Sequence, residues 1–179
     1  MRLLALDQAS KVTGYSIFID GKLETFGKIT ANQEEIGDRL HYIRESVAKL
    51  IADYDIDYIA FEDIQLQKDS NGREIVNNVQ TFKVLAEVFG VIYELAIALG
   101  IPNEAVLAST WKSTLQIKGK QRDEQKRNAQ AYAQTTYGIK CTQDEADALC
   151  IGTHILVKSG LATKPKKATS VGDVGFDWS

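Results

Sequence analysis

Apolar and polar positions along this chain follow two periods, and the switches between them divide it into elements. Arg2 to Asp7 contains the continuous apolar run Leu3-Leu4-Ala5-Leu6, which predicts a buried strand. After a turn at Gln8 to Thr13, Gly14 to Asp20 alternates as a second strand should. Asp20-Gly21 then signals a hairpin into a third strand, Lys22 to Ile29. From Glu34 to about Tyr54 the period changes, with Ile36, Leu40, Ile43, Val47, Leu50 and Ile51 at helical spacing. A strand from Ile56 to Phe61 follows, and then a polar loop, Gln65 to Arg73, containing Ser70-Asn71-Gly72. The next helix, about Glu74 to Leu99, has an apolar stripe wide enough to face both a sheet and a partner. Gly100-Ile101-Pro102 ends it. Ala105 to Leu107 reads as a short strand, and Ser109 as the cap of a brief helix carrying Trp111 and Lys112. Two more helices are predicted, Asp123 to Tyr137 and Gln143 to Ser159, the second opened by a capping box of Thr142 and Glu145. The order βββαβαβαα predicts an α/β fold in which three antiparallel strands join parallel ones.

Composition narrows the picture. At 179 residues, with 44% hydrophobic and 25% charged, the chain suits one globular domain, placed at 1–160, with a loose basic and polar tail at 161–179. No apolar stretch has membrane-spanning length and no secretory signal opens the chain, so a cytoplasmic protein without a membrane partner is expected. Cys141 and Cys150 are expected to be reduced thiols in the core. The net charge of -3 hides an asymmetry: residues 110–140 hold seven basic and two acidic side chains, while the rest of the chain is acidic. Such a segment is either a solvated helix face or a local contact for a polyanion.

The chemistry gathers on four acids. Asp7 and Glu62 each end a predicted buried strand, and Asp144 and Asp147 stand three apart at a helix start, so that they share a face. Taken singly, each has an ordinary reading: Asp7 opens a turn, Glu62 is a solvated strand end, Asp144 decorates a helix terminus. Taken together, carboxylates at the ends of buried strands are costly unless a cation compensates them. If the two strands are neighbours, the four meet, and two Mg²⁺ ions would hold them ionised for phosphoryl chemistry.

The segments Leu6-Asp7-Gln8-Ala9-Ser10-Lys11-Val12-Thr13-Gly14-Tyr15, Phe61-Glu62 and Asp144-Glu145-Ala146-Asp147-Ala148-Leu149 together resemble the RuvC-type Holliday junction resolvases over residues 1 to 157. The resemblance implies an RNase H-like fold with a mixed five-stranded sheet flanked by helices. It implies Asp7, Glu62, Asp144 and Asp147 as ligands of Mg²⁺, with Mn²⁺ able to substitute. The implied activity is hydrolysis of phosphodiesters in four-way and other branched DNA by a homodimer making paired nicks, with the helix from Glu74 to Leu99 at the dimer contact. Lysines after the fifth strand would support catalysis: Lys112 fits the first, and Lys126 is the choice for the second, with Lys118 and Lys120 as alternatives. DNA contacts are expected from Lys112, Lys118, Lys120, Arg122, Lys126 and Arg127.

Two positions depart from the family pattern: Gln8-Ala9 stands where Pro-Gly is usual, and Gln65 stands where better-known bacterial members carry a wedge aromatic. The second departure implies a different way of opening the junction and a relaxed selectivity. The compact form suggests a phage or phage-derived member acting in a bacterial host cell. The rival readings are an RNase H-like nuclease for structured RNA, a non-catalytic branched-DNA-binding module, and an ATP-binding fold of the actin and hexokinase kind. The last is a poor match, because Ala9 and Lys11 replace phosphate-binding glycines and the chain is short for two lobes. His154 falls near the face of Asp147 but is expected in the core or toward phosphate, and Trp111 and Phe82 are expected to pack rather than stack on bases.

Overall fold

The computed structural model describes residues 1–65 and 79–165. Its centre is a five-stranded sheet in the order β3-β2-β1-β4-β5. The strands are β1 (Arg2–Asp7), β2 (Val12–Ile19), β3 (Lys22–Thr30), β4 (Tyr58–Glu62) and β5 (Asn103–Val106). β1, β2 and β3 form an antiparallel meander, while β1 pairs with β4, and β4 with β5, in parallel. The predicted hairpin is present: Asp20 (φ 50°) and Gly21 (φ 82°) both take the left-handed region that a tight primed turn demands.

Helices cover both faces. On one lie α1 (Ile36–Asp53) and α2 (Val79–Ala98), and on the other α3 (Ala108–Leu115), α4 (Arg122–Tyr137) and α5 (Gln143–Lys158). The central strands are therefore buried on both sides, which is why β1 and β4 read as continuous apolar runs rather than alternating ones. The alternation survives in where the side chains go. Leu3 and Ala5 of β1 and Ala60 of β4 join the α3–α4–α5 cluster, with Tyr58 packed against it. Leu4 and Leu6, with Ile59 and Phe61, join the α1–α2 cluster. The period of two then sends Asp7 and Glu62 to the α5 side of the sheet.

α5 sits tight against β2. A Cβ at Gly14 would collide with the Asp144 backbone, and one at Gly152 with the ring of Phe18. The Ser16 hydroxyl donates to the Ala148 carbonyl at 2.8 Å. Gly14 is also the cross-strand partner of Asp7. The close approach that only glycine permits thus brings the first turn of α5 beside the end of β1.

Several expectations need correction. Ser109 does not cap α3: the N-cap is Leu107, with no side-chain bond, and Ser109 lies inside the helix. The fifth strand begins earlier than Ala105, at Asn103. Cys150 is buried, but Cys141 is only partly so, and both are free thiols. The capping box of Thr142 and Glu145 forms as predicted, with Thr142 N–H donating to Glu145 Oε2 at 2.7 Å. The loop from Gln65 to Arg73, the start of the helix predicted from Glu74, and the tail beyond Pro165 lie outside the described residues apart from Gln65 itself. After α5 the chain turns back through Gly160, and the Leu161 and Ala162 N–H groups both donate to the Leu156 carbonyl.

Candidate functional site

The ends of β1 and β4, the first two turns of α5, and one side of α3 and α4 surround a single cavity of about 420 Å³. Asp7, Glu62, Asp144 and Asp147 all line it, as do Lys112, Arg122 and Lys126. The strands supply Asp7 and Glu62 because they are parallel neighbours that end at the same level, with Leu6 paired to Phe61 just before them. α5 supplies the other two at helical spacing of three.

The site's electrostatics follow from burial. Desolvation first, and then the charges of Glu62, Asp147 and Asp144, push the Asp7 carboxyl well above the usual carboxylate range, against a weaker pull from Lys126. Burial and the charge of Glu62 push Asp147 up to about 6, opposed by Lys112 and Lys126. Burial also raises Glu62, although a hydrogen bond from Trp111 and the charges of Lys112 and Arg122 work the other way. These acids are therefore short of positive charge. Counting Asp63, five acidic and three basic side chains among the described residues line the cavity.

That donor set has a definite preference. Among the described residues it offers carboxylate oxygens and no histidine or cysteine, which suits hard divalent cations of the Mg²⁺ and Mn²⁺ kind rather than zinc. Among the described residues no group of three or more acids, histidines or cysteines is already closed on one point. The carboxylates stand around the cavity. The surplus of two acidic groups among the described residues, and the burial that disfavours the ionised forms of Asp7, Glu62 and Asp147, both fit a divalent cation as the missing counter-charge.

The basic segment divides in two. Lys112 and Lys126 reach the cavity, each steadied by an amide: Lys112 Nζ donates to Gln125 Oε1 at 3.1 Å, and Lys126 Nζ to Gln143 Oε1 at 2.9 Å. Gln125 is itself anchored, donating to the Gly119 carbonyl at 3.0 Å. Arg122 also lines the cavity, while Lys118, Lys120 and Arg127 are exposed outside its lining. Of the lysines open to choice in the sequence, the geometry thus brings Lys126, not Lys118 or Lys120, to the acids. His154 is 6% exposed and hydrogen-bonds Thr114 at 2.9 Å, so it is a core residue apart from the site.

Two residues at the site escaped the sequence reading. Gln8 is 5% exposed and bonds the backbone of Glu62 twice: its amide donates to the Glu62 carbonyl, and its Oε1 accepts the Glu62 N–H at 3.0 Å. Trp111 is fully buried, and its indole N–H donates to Glu62 Oε2 at 3.2 Å. A polar residue after a strand looks like a turn, and a tryptophan in a helix looks like core, so neither carried a signal of its contact with Glu62.

A family model described as crossover junction endodeoxyribonuclease RuvC matches residues 3–154. The crossover junction endodeoxyribonuclease RuvC of Pelobacter propionicus is 26% identical, over 95% of this chain and 97% of its own. That of Geobacter metallireducens is 30% identical over 70% of this chain and 74% of its own. Among solved structures, Thermus thermophilus RuvC in complex with a Holliday junction substrate superposes with a TM-score of 0.67 at 18% identity, covering 93% of this chain and 100% of that one. The yeast mitochondrial Holliday junction resolvase Ydc2 gives 0.52 at 15% identity, over 89% of this chain and 81% of its own. Both likenesses place the sheet and its helices in the RNase H-like fold that RuvC shares.

Proposed function

The chain belongs to the RuvC family of crossover junction endodeoxyribonucleases, and from that premise we propose that it resolves Holliday junctions by divalent-metal-dependent hydrolysis at the four-carboxylate cavity. The observation that carries this reading is the meeting of Asp7, Glu62, Asp144 and Asp147 with Lys112, Arg122 and Lys126 in one cavity. Without a cation the four carboxylates would repel a phosphate at the cavity, whereas the basic side chains are placed to accept phosphate.

Asp7, Glu62, Asp144 and Asp147 would hold two Mg²⁺ ions, or Mn²⁺ in their place. Bound there, the cations would supply Lewis acidity for in-line displacement at phosphorus. In that step a water oxygen would join the phosphorus and give up a proton, while one P–O ester bond would break and its departing oxygen take up a proton. Lys112 and Lys126 present point charges where negative charge develops on the phosphoryl oxygens. Arg122, exposed at the cavity's edge, meets the incoming strand, and Lys118, Lys120 and Arg127 hold more distant phosphates. Residues 1–160 form the nuclease domain in this reading, and the enzyme works in the cytoplasm on branched DNA. Among the described residues no helix is long and apolar enough to cross a membrane.

The lysines give a prediction with internal controls. Lys112→Ala and Lys126→Ala should each lower single-turnover cleavage by about 10²–10³-fold, the usual loss when one donor to developing charge is removed. Lys118→Ala and Lys120→Ala should leave that rate unchanged and lower the salt dependence of junction binding by about one unit of slope each. Equal effects of all four on the rate would refute the division of the basic segment.

The direct test of the proposed activity is a substrate panel of four-way junction, fork, linear duplex and structured RNA, in Mg²⁺ or EDTA. Junction cleavage that disappears with EDTA supports the proposal. Cleavage of RNA alone would move the protein to the RNA-processing class.

A further inference from the structure

Glu62 differs from the other acids of the cavity in being held by neighbouring side chains at both its backbone and its carboxylate. Its main chain is gripped by Gln8, which supplies one acceptor and one donor in the manner of a short extra strand. The turn that carries Gln8 is itself fixed. The buried Thr13 hydroxyl donates to the Ala9 carbonyl at 2.9 Å and accepts the Ala9 N–H at 3.2 Å. At the other end, Oε2 of Glu62 receives the indole N–H of Trp111. An indole has one donor and no acceptor, so this bond fixes where that carboxylate oxygen sits. The same ring has Lys112 Nζ 5.0 Å from its centroid. One fully buried side chain therefore touches both an acid and a cation of the site.

We infer that Trp111 and Gln8 are positioning residues, a clamp that presets Glu62 to receive a divalent cation. The inference rests on the metal-dependent reading of the cavity and adds to it. Neither residue would touch substrate or cation. Both would limit the movement of a carboxylate that must otherwise be ordered when the cation binds. Partners of this outer kind typically contribute about 10–100-fold to metal affinity or activity. A purely structural reading predicts something else: Trp111 would matter through its buried volume alone, and its N–H would be interchangeable with a carbon.

Trp111→Phe keeps an aromatic ring in the core and removes the N–H, and Gln8→Met keeps length while removing both bonds to the Glu62 backbone. Full-length variants would be compared with wild type by calorimetric titration with Mn²⁺ in the absence of DNA, by junction affinity in EDTA, and by cleavage rate across a Mg²⁺ series. The expected result is weaker Mn²⁺ binding by about 10–100-fold in each variant, junction affinity in EDTA unchanged, and a cleavage defect that shrinks as Mg²⁺ is raised. Wild-type Mn²⁺ affinity in a folded variant overturns the inference, whatever happens to its melting temperature. If one variant fails to fold, the other decides by the same titration. A wild-type protein that binds no divalent cation and cuts no junction would instead overturn the functional reading, and this inference with it.

Discussion

Replacing Asp7 with Asn is expected to abolish junction cleavage while leaving a protein that folds better without metal and binds junctions at least as well as wild type. Asp7 ends β1 on the α5 side of the sheet, where desolvation and three neighbouring acids disfavour its ionised form. At neutral pH the metal-free protein must either bury that charge or hold a proton on it, and each costs stability. Asparagine is nearly isosteric and removes the cost, so the melting temperature in EDTA should rise. It also removes one of the four charges that repel phosphate, so junction affinity in EDTA should hold or improve. Cleavage should fall to background in Mg²⁺ and Mn²⁺ alike, because an amide is a poor replacement for an anionic oxygen ligand. The gain in stability upon adding Mg²⁺, expected for wild type, should shrink in the variant. Cleavage retained by Asp7→Asn would remove Asp7 from the ligand set.

The second large effect is expected at α2, where a charge on the outer face should separate the two copies of the homodimer that a paired-cut mechanism requires. The buried side of this helix packs Val88, Ile92, Leu95 and Ala96 against α1 and the sheet. Its other side leaves Tyr93 48% and Ile97 58% exposed. Val79, Ala86, Gly90, Tyr93 and Ile97 recur at spacings of three, four and seven, and no atom outside the helix lies within 4 Å of a Cβ at Gly90. Such a stripe suits a second copy of the same helix packed closely across a two-fold axis. A fully buried side chain of this size contributes roughly 1.5–3 kcal/mol, and a two-fold contact counts each residue twice. Ile97→Glu should therefore give a monomer by light scattering at low micromolar concentration, with the cavity and its metal affinity unaltered. Paired cutting should be lost, leaving slow single nicks. A wild-type protein that is itself monomeric with and without junction DNA would refute the paired-cut arrangement.

Much of this was legible in the sequence because two signals reinforce one another there. Apolar runs ending in Asp7 and Glu62 mark buried strands, and a run buried on both faces still alternates in three dimensions. The parity that sends Ala5 and Ala60 toward α5 also sends the two acids there. The spacing of Asp144 and Asp147 needed only the capping box to fix the start of α5. The resolution of the basic segment was not legible, since a string of lysines does not show which of them faces inward. The α4 register decides it by placing Lys126 with Gln125 toward the cavity and Arg127 away. Gly14 carried no distinctive pattern either, because its role is set by the arrival of α5 from more than a hundred residues away. Gln8 was conspicuous only as a departure from a family pattern. Its two bonds to Glu62 depend on β1 and β4 being neighbours, a fact of topology that no local window contains.

The central claim is that one cavity, charged by four carboxylates, cuts junctions in a metal-dependent reaction. Its most direct test is a four-way junction with each strand labelled in turn, incubated with the wild-type protein in Mg²⁺, in Mn²⁺ and in EDTA, and read on a denaturing gel. The account predicts symmetric nicks in two opposed strands in the presence of either cation, and intact strands in EDTA. Tight junction binding with every strand intact in both cations would contradict it, and would leave a DNA-binding protein whose four clustered acids need another explanation.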